Sequence, residues 1–255
     1  MGDQFTVFAT ALGVTPPWEV TETTLSVEKK RFDIRVDFAR GGKFACPECG
    51  QPTSAYDTSE QTWRHLNFFQ YAAYVTARVP RLDCRKCGVR RVEVPWARPG
   101  SGFTLLFEAL VMALARQMPI NAVAELVAEH DTRLWRIVHH YVAEARARQD
   151  HAEVRRLGVD ETASRRGHNY ISVFVDLEAK RVLFGTPGKD AATVGAFVED
   201  LRAHGGAGER IEQVACDRVA GLYQGRRRAV AASRDDLRPL PPPEAHQRGG
   251  RRGAA

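Results

Sequence analysis

The spacing of apolar residues changes its period twice along this chain. Residues 18–27 read as a strand and residues 31–38 alternate strictly: Phe32, Ile34, Val36 and Phe38 fall on one face, and Asp33, Arg35 and Asp37 on the other. Period two predicts two half-buried strands. Residues 63–66 and 71–79 continue the pattern, with Val75, Ala77 and Val79 set against Thr76 and Arg78. After a stretch at 95–102 with two prolines and two glycines, the period becomes helical, with Leu106, Phe107, Leu110 and Leu114 on one face of a helix over 104–117. Pro119 opens a second helix over 120–129, and Asp131 caps a third over 132–148. Beyond Arg155 the strand pattern returns at 157–161, 170–176 and 181–185. An amphipathic helix over 190–203 carries Ala191, Val194, Phe197, Val198 and Leu201 on its apolar face, and a last strand covers 213–217. From about Arg226 no periodicity remains, which predicts disorder.

Two Cys-x-x-Cys pairs, Cys46/Cys49 and Cys84/Cys87, interrupt the first strand-rich region, and each is followed by a glycine, Gly50 and Gly88. Four thiolates at this spacing suit a tetrahedral zinc ion, with tight turns that leave backbone amides facing the sulfurs. Neither pair opens a helix in a βαβ pattern, which argues against a redox motif. His65 is a further candidate ligand, but four cysteines already complete a structural tetrahedron. Trp63 and Phe68 read as core residues that cover the metal site. Two knuckles bridged by a hairpin have the layout of a zinc ribbon.

Three short helices with a tight second turn have the form of a helix-turn-helix, whose third helix would offer Arg133, Arg136 and His139 to a major groove. A plain helical bundle remains the alternative, because the turn 128–131 lacks a glycine. Trp135 is expected in the core. The order of three strands, a helix and a strand matches the opening of the ribonuclease H-like fold. Asp160 and Asp217 then end neighbouring strands, where paired hard oxygen ligands suit Mg²⁺ or Mn²⁺. Two such ions activate an attacking oxygen and stabilise a leaving one in phosphodiester chemistry. Among the other acids, Glu161 alternates to the opposite face, Asp176 reads as a turn residue, and Glu199 and Asp200 as a solvated helix face. Cys216 points away from Asp217 and reads as buried.

The pattern yields an α+β multidomain chain. Its parts are N-terminal strands (1–40), a zinc-binding finger (41–98), a helix-turn-helix (99–150), a partial ribonuclease H-like domain (151–225) and a basic tail (226–255). Charge refines the picture. The net charge is +6, but the eight arginines and three acids after residue 225 supply +5 of it, which leaves about +1 for the body. The basic residues that point to nucleic acid are therefore the clustered ones around the second cysteine pair: Arg81, Arg85, Lys86, Arg90 and Arg91. No apolar run approaches the roughly 20 residues needed to span a bilayer. Residues 1–14 lack a basic region ahead of their apolar residues, so a secretory leader is not expected, and a cytoplasmic location is.

Taken together these residues resemble the ISL-three family of bacterial insertion-sequence DDE transposases. The resemblance runs through Cys46-Pro47-Glu48-Cys49-Gly50, Trp63-Arg64-His65-Leu66 and residues 81–88. It continues through 103–108, Met118-Pro119, Gly158-Val159-Asp160-Glu161, Gly167-His168-Asn169-Tyr170, and Asp217 with Tyr223. It implies a transposase that binds double-stranded DNA at its element's terminal inverted repeats, as a homo-oligomer. It implies zinc on Cys46, Cys49, Cys84 and Cys87, and magnesium or manganese on Asp160 and Asp217 as the first two members of the catalytic triad. Arg166 and His168 would lie near that site. The family's third acid, a glutamate, has no counterpart here. The later acids Asp235, Asp236 and Glu244 fall in the aperiodic tail, whose Arg-, Pro- and Ala-rich composition is that of a frame-shifted or truncated member. The expectation is a transposase incomplete on its own. The alternatives are a DNA-binding fragment that inhibits the full-length enzyme, an inert remnant, and a zinc-ribbon regulator.

Overall fold

A computed structural model describes residues 3–164 and 169–216; the proposed site residues Arg166, His168 and Asp217 and the basic tail lie outside the described residues. The chain forms two compact units, Met1–Val142 and Ala143–Ala255, and the division falls within one helix. Among the described residues no helix is long and apolar enough to cross a membrane.

The first unit opens with α1 (Asp3–Leu12), a helix the period-two reading did not anticipate. β1 (Trp18–Ser26) and β2 (Arg31–Phe38) follow as an antiparallel pair. As the alternation predicts, Phe32, Ile34 and Val36 are buried. β3 (Lys43–Ala45), β4 (Pro52–Arg64), β5 (Ala72–Cys84) and β6 (Gly88–Arg91) complete a six-stranded sheet, ordered β1-β2-β5-β4-β3 with β6 on β5. The N-terminal strands and the finger therefore share one sheet, joined by parallel pairing of β2 with β5 from Arg31↔Ala72 to Val36↔Ala77. The core on this sheet gathers Ile34, Val36, Val75, Ala77, Val79 and Leu82 under Trp18, Trp63 and Trp96. Phe68 packs against it, stacked on Phe32 at 4.6 Å.

α2 (Leu105–Ala115), α3 (Ile120–Val127) and α4 (Asp131–Ala147) form the helical trio. Thr104 caps α2 by accepting from the Phe107 amide. Between α3 and α4 the chain turns without glycine because Ala128 itself adopts the left-handed conformation, φ 54° and ψ 49°. The left-handed turn is therefore made without the glycine whose lack left the helix-turn-helix reading open. The buried face of α2 is centred on Phe107 and Val111, whereas Leu106 and Leu110 are exposed, so the helix is rotated from the face its leucines suggested. Trp135, expected in the core, is 44% exposed and meets His139 edge-on; Leu134 and Ile137 fill the interior instead.

In the second unit, β7 (Arg156–Ala163), β8 (Tyr170–Asp176), β9 (Arg181–Pro187) and β10 (Gln213–Cys216) form a sheet ordered β10-β7-β8-β9. β7, β8 and β9 are antiparallel, and β10 returns parallel to β7 after α5 (Ala191–Ala203). A parallel neighbour needs a crossover, and α5 supplies it. Asp190 caps α5 by accepting from the Ala192 and Thr193 amides. Phe174 and Phe197 stack at 4.3 Å between sheet and helix. This is the partial ribonuclease H-like arrangement the element order predicted.

Candidate metal centre and nucleic-acid interface

Both cysteine pairs sit at hairpin tips. The first spans the β3–β4 turn, where the Cys46 amide donates to Gln51 O at 3.0 Å and the Gly50 amide to Cys46 O at 2.8 Å. The second spans the β5–β6 turn, where Cys84 pairs with Gly88. Gly50 and Gly88 have φ of +72° and +73°, a region side chains other than glycine rarely enter. This explains the glycine after each pair. β4 and β5 pair along their length, so the two tips meet. One Sγ from each of the four cysteines lies within 4.8 Å of the others. Cys49 Sγ and Cys84 Sγ are 3.6 Å apart. A tetrahedral zinc with 2.3 Å bonds sets its sulfurs about 3.8 Å apart, so the cluster has zinc's dimensions.

The electrostatics agree. The Lys86 and Cys87 amides donate to the Cys84 sulfur and pull its thiol down to about 7. Cys87 is pushed up to about 12, first by its hydrogen bond with Cys49 Sγ and then by burial. Four thiolates this close repel one another unless they share a cation, and a bound zinc deprotonates such ligands. His65 is not part of the cluster. Its Nδ1 lies 2.9 Å from Thr104 Oγ1, and burial pushes it down to about 4, leaving it neutral.

Two buried charges bind the sheet to the helical trio. Arg64, at the end of β4, is 2% exposed. Its guanidinium donates to the carbonyls of His65, Ala73 and Val127 and to Asn67 Oδ1, and it faces Glu129 at 3.7 Å. Backbone bonds extend this junction: the Arg64 amide donates to Gly102 O at 2.9 Å and the Thr104 amide to Arg64 O at 3.0 Å. Glu108 on α2, 0% exposed, accepts from Arg98, Ser101 and Tyr141. Its three donors come from the linker and from α4, so the ribbon's exit and the helices are held at a fixed spacing. Neither charge announced itself in the sequence, because each finds its partners only in the folded chain.

The basic residues divide by what they touch. Arg85, Lys86 and Arg136 are exposed, and no ion pair among the described residues engages them. Arg81 is paired with Asp57, Arg90 with Glu48 at 3.4 Å, and Arg91 donates to Ser59 Oγ at 2.8 Å. Arg133 pairs with Glu129 and lies 4.4 Å over the Phe103 ring. It therefore serves the junction as well as the helix surface.

In the second unit, Asp160 is exposed on β7, opposite Val173 of β8. β7 runs three residues past it, so Asp160 lies within the strand rather than at its end. The parallel register of β10 with β7 ends at Cys216↔Val159, and Asp217 lies outside the described residues. Asp176 is a turn residue: its Oδ1 accepts from the Glu178 and Ala179 amides at 3.0 and 3.1 Å. Asp200 departs from its expected solvated face, with a side chain 15% exposed and paired with Arg146.

A four-cysteine ribbon joined to a helix-turn-helix, followed by a sheet with β10 parallel to β7, has the architecture of a zinc ribbon, a helix-turn-helix and part of a ribonuclease H-like domain. Comparison with known proteins makes this specific. A model for the zinc finger of transposase IS204/IS1001/IS1096/IS1165 matches residues 43–87, and one for the helix-turn-helix domain of transposase family ISL3 matches residues 92–142. The ISL3 transposase (DDE) model matches residues 157–232. The transposase for insertion sequence element IS1557 of Mycobacterium tuberculosis is 35% identical over 175 residues, which cover 68% of this chain and 39% of that protein. The transposase for insertion sequence element IS1001 of Bordetella parapertussis is 30% identical over 182 residues, 68% of this chain and 42% of its own length. The chain belongs to the ISL3 family of insertion-sequence transposases. It spans about two-fifths of the length of the curated relatives it matches.

Proposed function

We propose that this chain recognises the terminal inverted repeats of its own insertion sequence through its first unit, and contributes two carboxylates to a metal-dependent phosphoryl-transfer site through its second. The observation that supports this most directly is the rigid junction of ribbon and helix-turn-helix through Arg64 and Glu108. Two DNA-contacting modules held at one spacing can read a longer site than either alone. In this reading Arg136 and Arg133 on α4 face a major groove, while Arg81, Arg85, Lys86, Arg90 and Arg91 beside the knuckles neutralise phosphates. Zinc on Cys46, Cys49, Cys84 and Cys87 is structural and fixes the two hairpin tips.

Asp160 and Asp217 are the proposed ligands of magnesium or manganese. A bound pair of such ions would activate the attacking oxygen and stabilise the leaving one. Asp160 stands on β7, whose parallel partner β10 ends at Cys216, the residue before Asp217 in the sequence, and this adjacency supports the pairing of the two acids. A DDE site needs a third acid. Two are assigned here, and any metal-dependent cleavage of the terminal duplex should be lost in Asp160→Asn.

Fluorescence anisotropy on duplexes carrying the element's ends, against scrambled duplexes over a salt series, tests the binding. Specific affinity should exceed scrambled affinity by about 1,000-fold or more, and each phosphate contact should steepen the salt slope by about 0.9. Equal affinity for both duplexes contradicts sequence recognition. Mg²⁺-dependent cleavage that survives Asp160→Asn contradicts the carboxylate assignment.

A further inference from the structure

Away from the zinc cluster and from Asp160, one set of side chains is arranged to hold an ion. His151 precedes β7, and Asp200 and His204 lie in the last turn and at the end of α5. One ligand atom from each lies within 4.8 Å of the other two. The imidazoles are tilted against each other at 4.8 Å between centroids.

Hydrogen bonds fix which atoms remain free. Gln149 Oε1 accepts from the Arg146 guanidinium at 3.0 Å, so this atom is an acceptor. It lies 3.3 Å from His151 Nε2, which must therefore donate to it. The proton of neutral His151 is thus on Nε2, and the Nδ1 lone pair is left over. That Nδ1 is buried with no hydrogen-bond partner, on a residue 0% exposed. His204 Nδ1 lies 2.8 Å from the Asp200 carbonyl, which can only accept, so its proton is on Nδ1 and its Nε2 lone pair is free. Asp200 gives one carboxylate oxygen to Arg146, while the other, Oδ2, is buried without a hydrogen bond, 3.6 Å from His204 Nδ1. Burial first, and then His204, holds His151 below its ordinary value, which keeps it neutral.

Orphaned buried polar atoms are costly and rare, and here two occur within one small cluster. The backbone is built around them. The His151 amide donates to His204 O at 2.8 Å, and a side chain at Gly206 would come within 2.9 Å of His151 O.

We propose that His151 Nδ1, His204 Nε2 and Asp200 Oδ2 form a second metal site, for a divalent transition ion of the zinc class. Two imidazoles and one carboxylate are its usual donors, and hydrogen bonds from the other ring nitrogens to Gln149 and to a carbonyl are the usual supports of metal-binding histidines. An ion would draw the three ligands to about 3.4 Å separation and leave one position for water. It would fasten the end of α5 to the segment that leads into β7. The site precedes the starts of β7 and β10, whereas Asp160 lies further along β7, so it is separate from the proposed catalytic carboxylates.

Metal content of the full chain after dialysis against zinc and then buffer tests this. Wild-type protein should hold two zinc ions per chain, and Asp200→Asn and His204→Ala should each hold one with unchanged circular dichroism. Titration with Co²⁺ gives a readout that needs no variant. The thiolate site shows sulfur-to-cobalt charge transfer, and a further equivalent should bind with a weaker d–d spectrum and none of that charge transfer. A single equivalent in the wild type, lost in Cys49→Ser, overturns the proposal. So does a second equivalent that survives both Asp200→Asn and His204→Ala and is lost in Asp160→Asn.

Discussion

The two units treat buried polar groups in opposite ways. In the first, Arg64 and Glu108 are buried charges whose hydrogen bonds are satisfied on several sides, and Trp96 Nε1 is the one buried side-chain atom there, among the described residues, without a partner. In the second, His151 Nδ1, Glu161 Oε1, Arg181 Nε and Asp200 Oδ2 have no hydrogen bond among the described residues, and Arg181 Nε and Asp200 Oδ2 each lie 3.6 Å from a charged partner, Asp176 and His204. Saturated networks specify a single arrangement, and unsaturated ones hold unused binding capacity. The first unit therefore has the saturated interior that the proposed reading head needs, and the second keeps polar atoms available for the proposed metal site.

The comparison breaks most sharply at the thiolates. Cys49→Ser, or chelation of the wild type, should remove the bound zinc, separate the two hairpin tips and abolish specific DNA binding, as seen by metal content and anisotropy. If binding persists unchanged, the ribbon is not part of the reading head. Next in size are the buried charges. Arg64→Ala removes the donor to the His65, Ala73 and Val127 carbonyls and to Asn67, leaves Glu129 to Arg133 alone, and should cost about 3 kcal/mol or more in urea unfolding. Glu108→Gln keeps one acceptor oxygen, for Ser101 on one side or for Arg98 and Tyr141 on the other, turns an NH2 toward the remaining donors, and should cost about 1–3 kcal/mol. A loss below about 0.5 kcal/mol in either would show that the junction is loose.

A smaller effect follows pH. His65 titrates near its ordinary 6.5 when unfolded and at about 4 when folded, so the unfolded chain binds more protons between these values. Its contribution to stability is intact above pH 6.5 and falls as the pH drops toward 4, at no more than about 1.4 kcal/mol per pH unit. Replacing His65 with Gln should flatten that part of the unfolding profile; an unchanged profile would place the sensitivity elsewhere. The smallest stability change belongs to Asp160→Asn. An exposed carboxylate that pairs with no side chain among the described residues should alter unfolding by less than about 0.5 kcal/mol. A large destabilisation would make Asp160 a structural residue.

What was legible in the sequence was whatever is written locally. The spacing of Cys46, Cys49, Cys84 and Cys87 announced the cluster, and the alternation from Phe32 to Phe38 fixed which face of β2 is buried. The order of strands around α5 fixed the second sheet, including β10 beside β7. Illegible features depend on contacts between distant segments. Trp135 has the composition of a core residue, yet Leu134 and Ile137 claim the interior of α4. Ala128 shows no sign of its left-handed turn. Asp200 reads as a surface acid until Arg146 and two histidines, 49 and 4 residues away in number, are brought to it.

The division of labour itself is tested most directly by the affinity of two single variants for the same terminal duplex. Asp160→Asn should bind within about twofold of the wild type, while Cys49→Ser should fall by about 1,000-fold toward the scrambled-duplex level. Equal losses in both variants, or a loss confined to Asp160→Asn, would contradict a reading head that resides in the first unit.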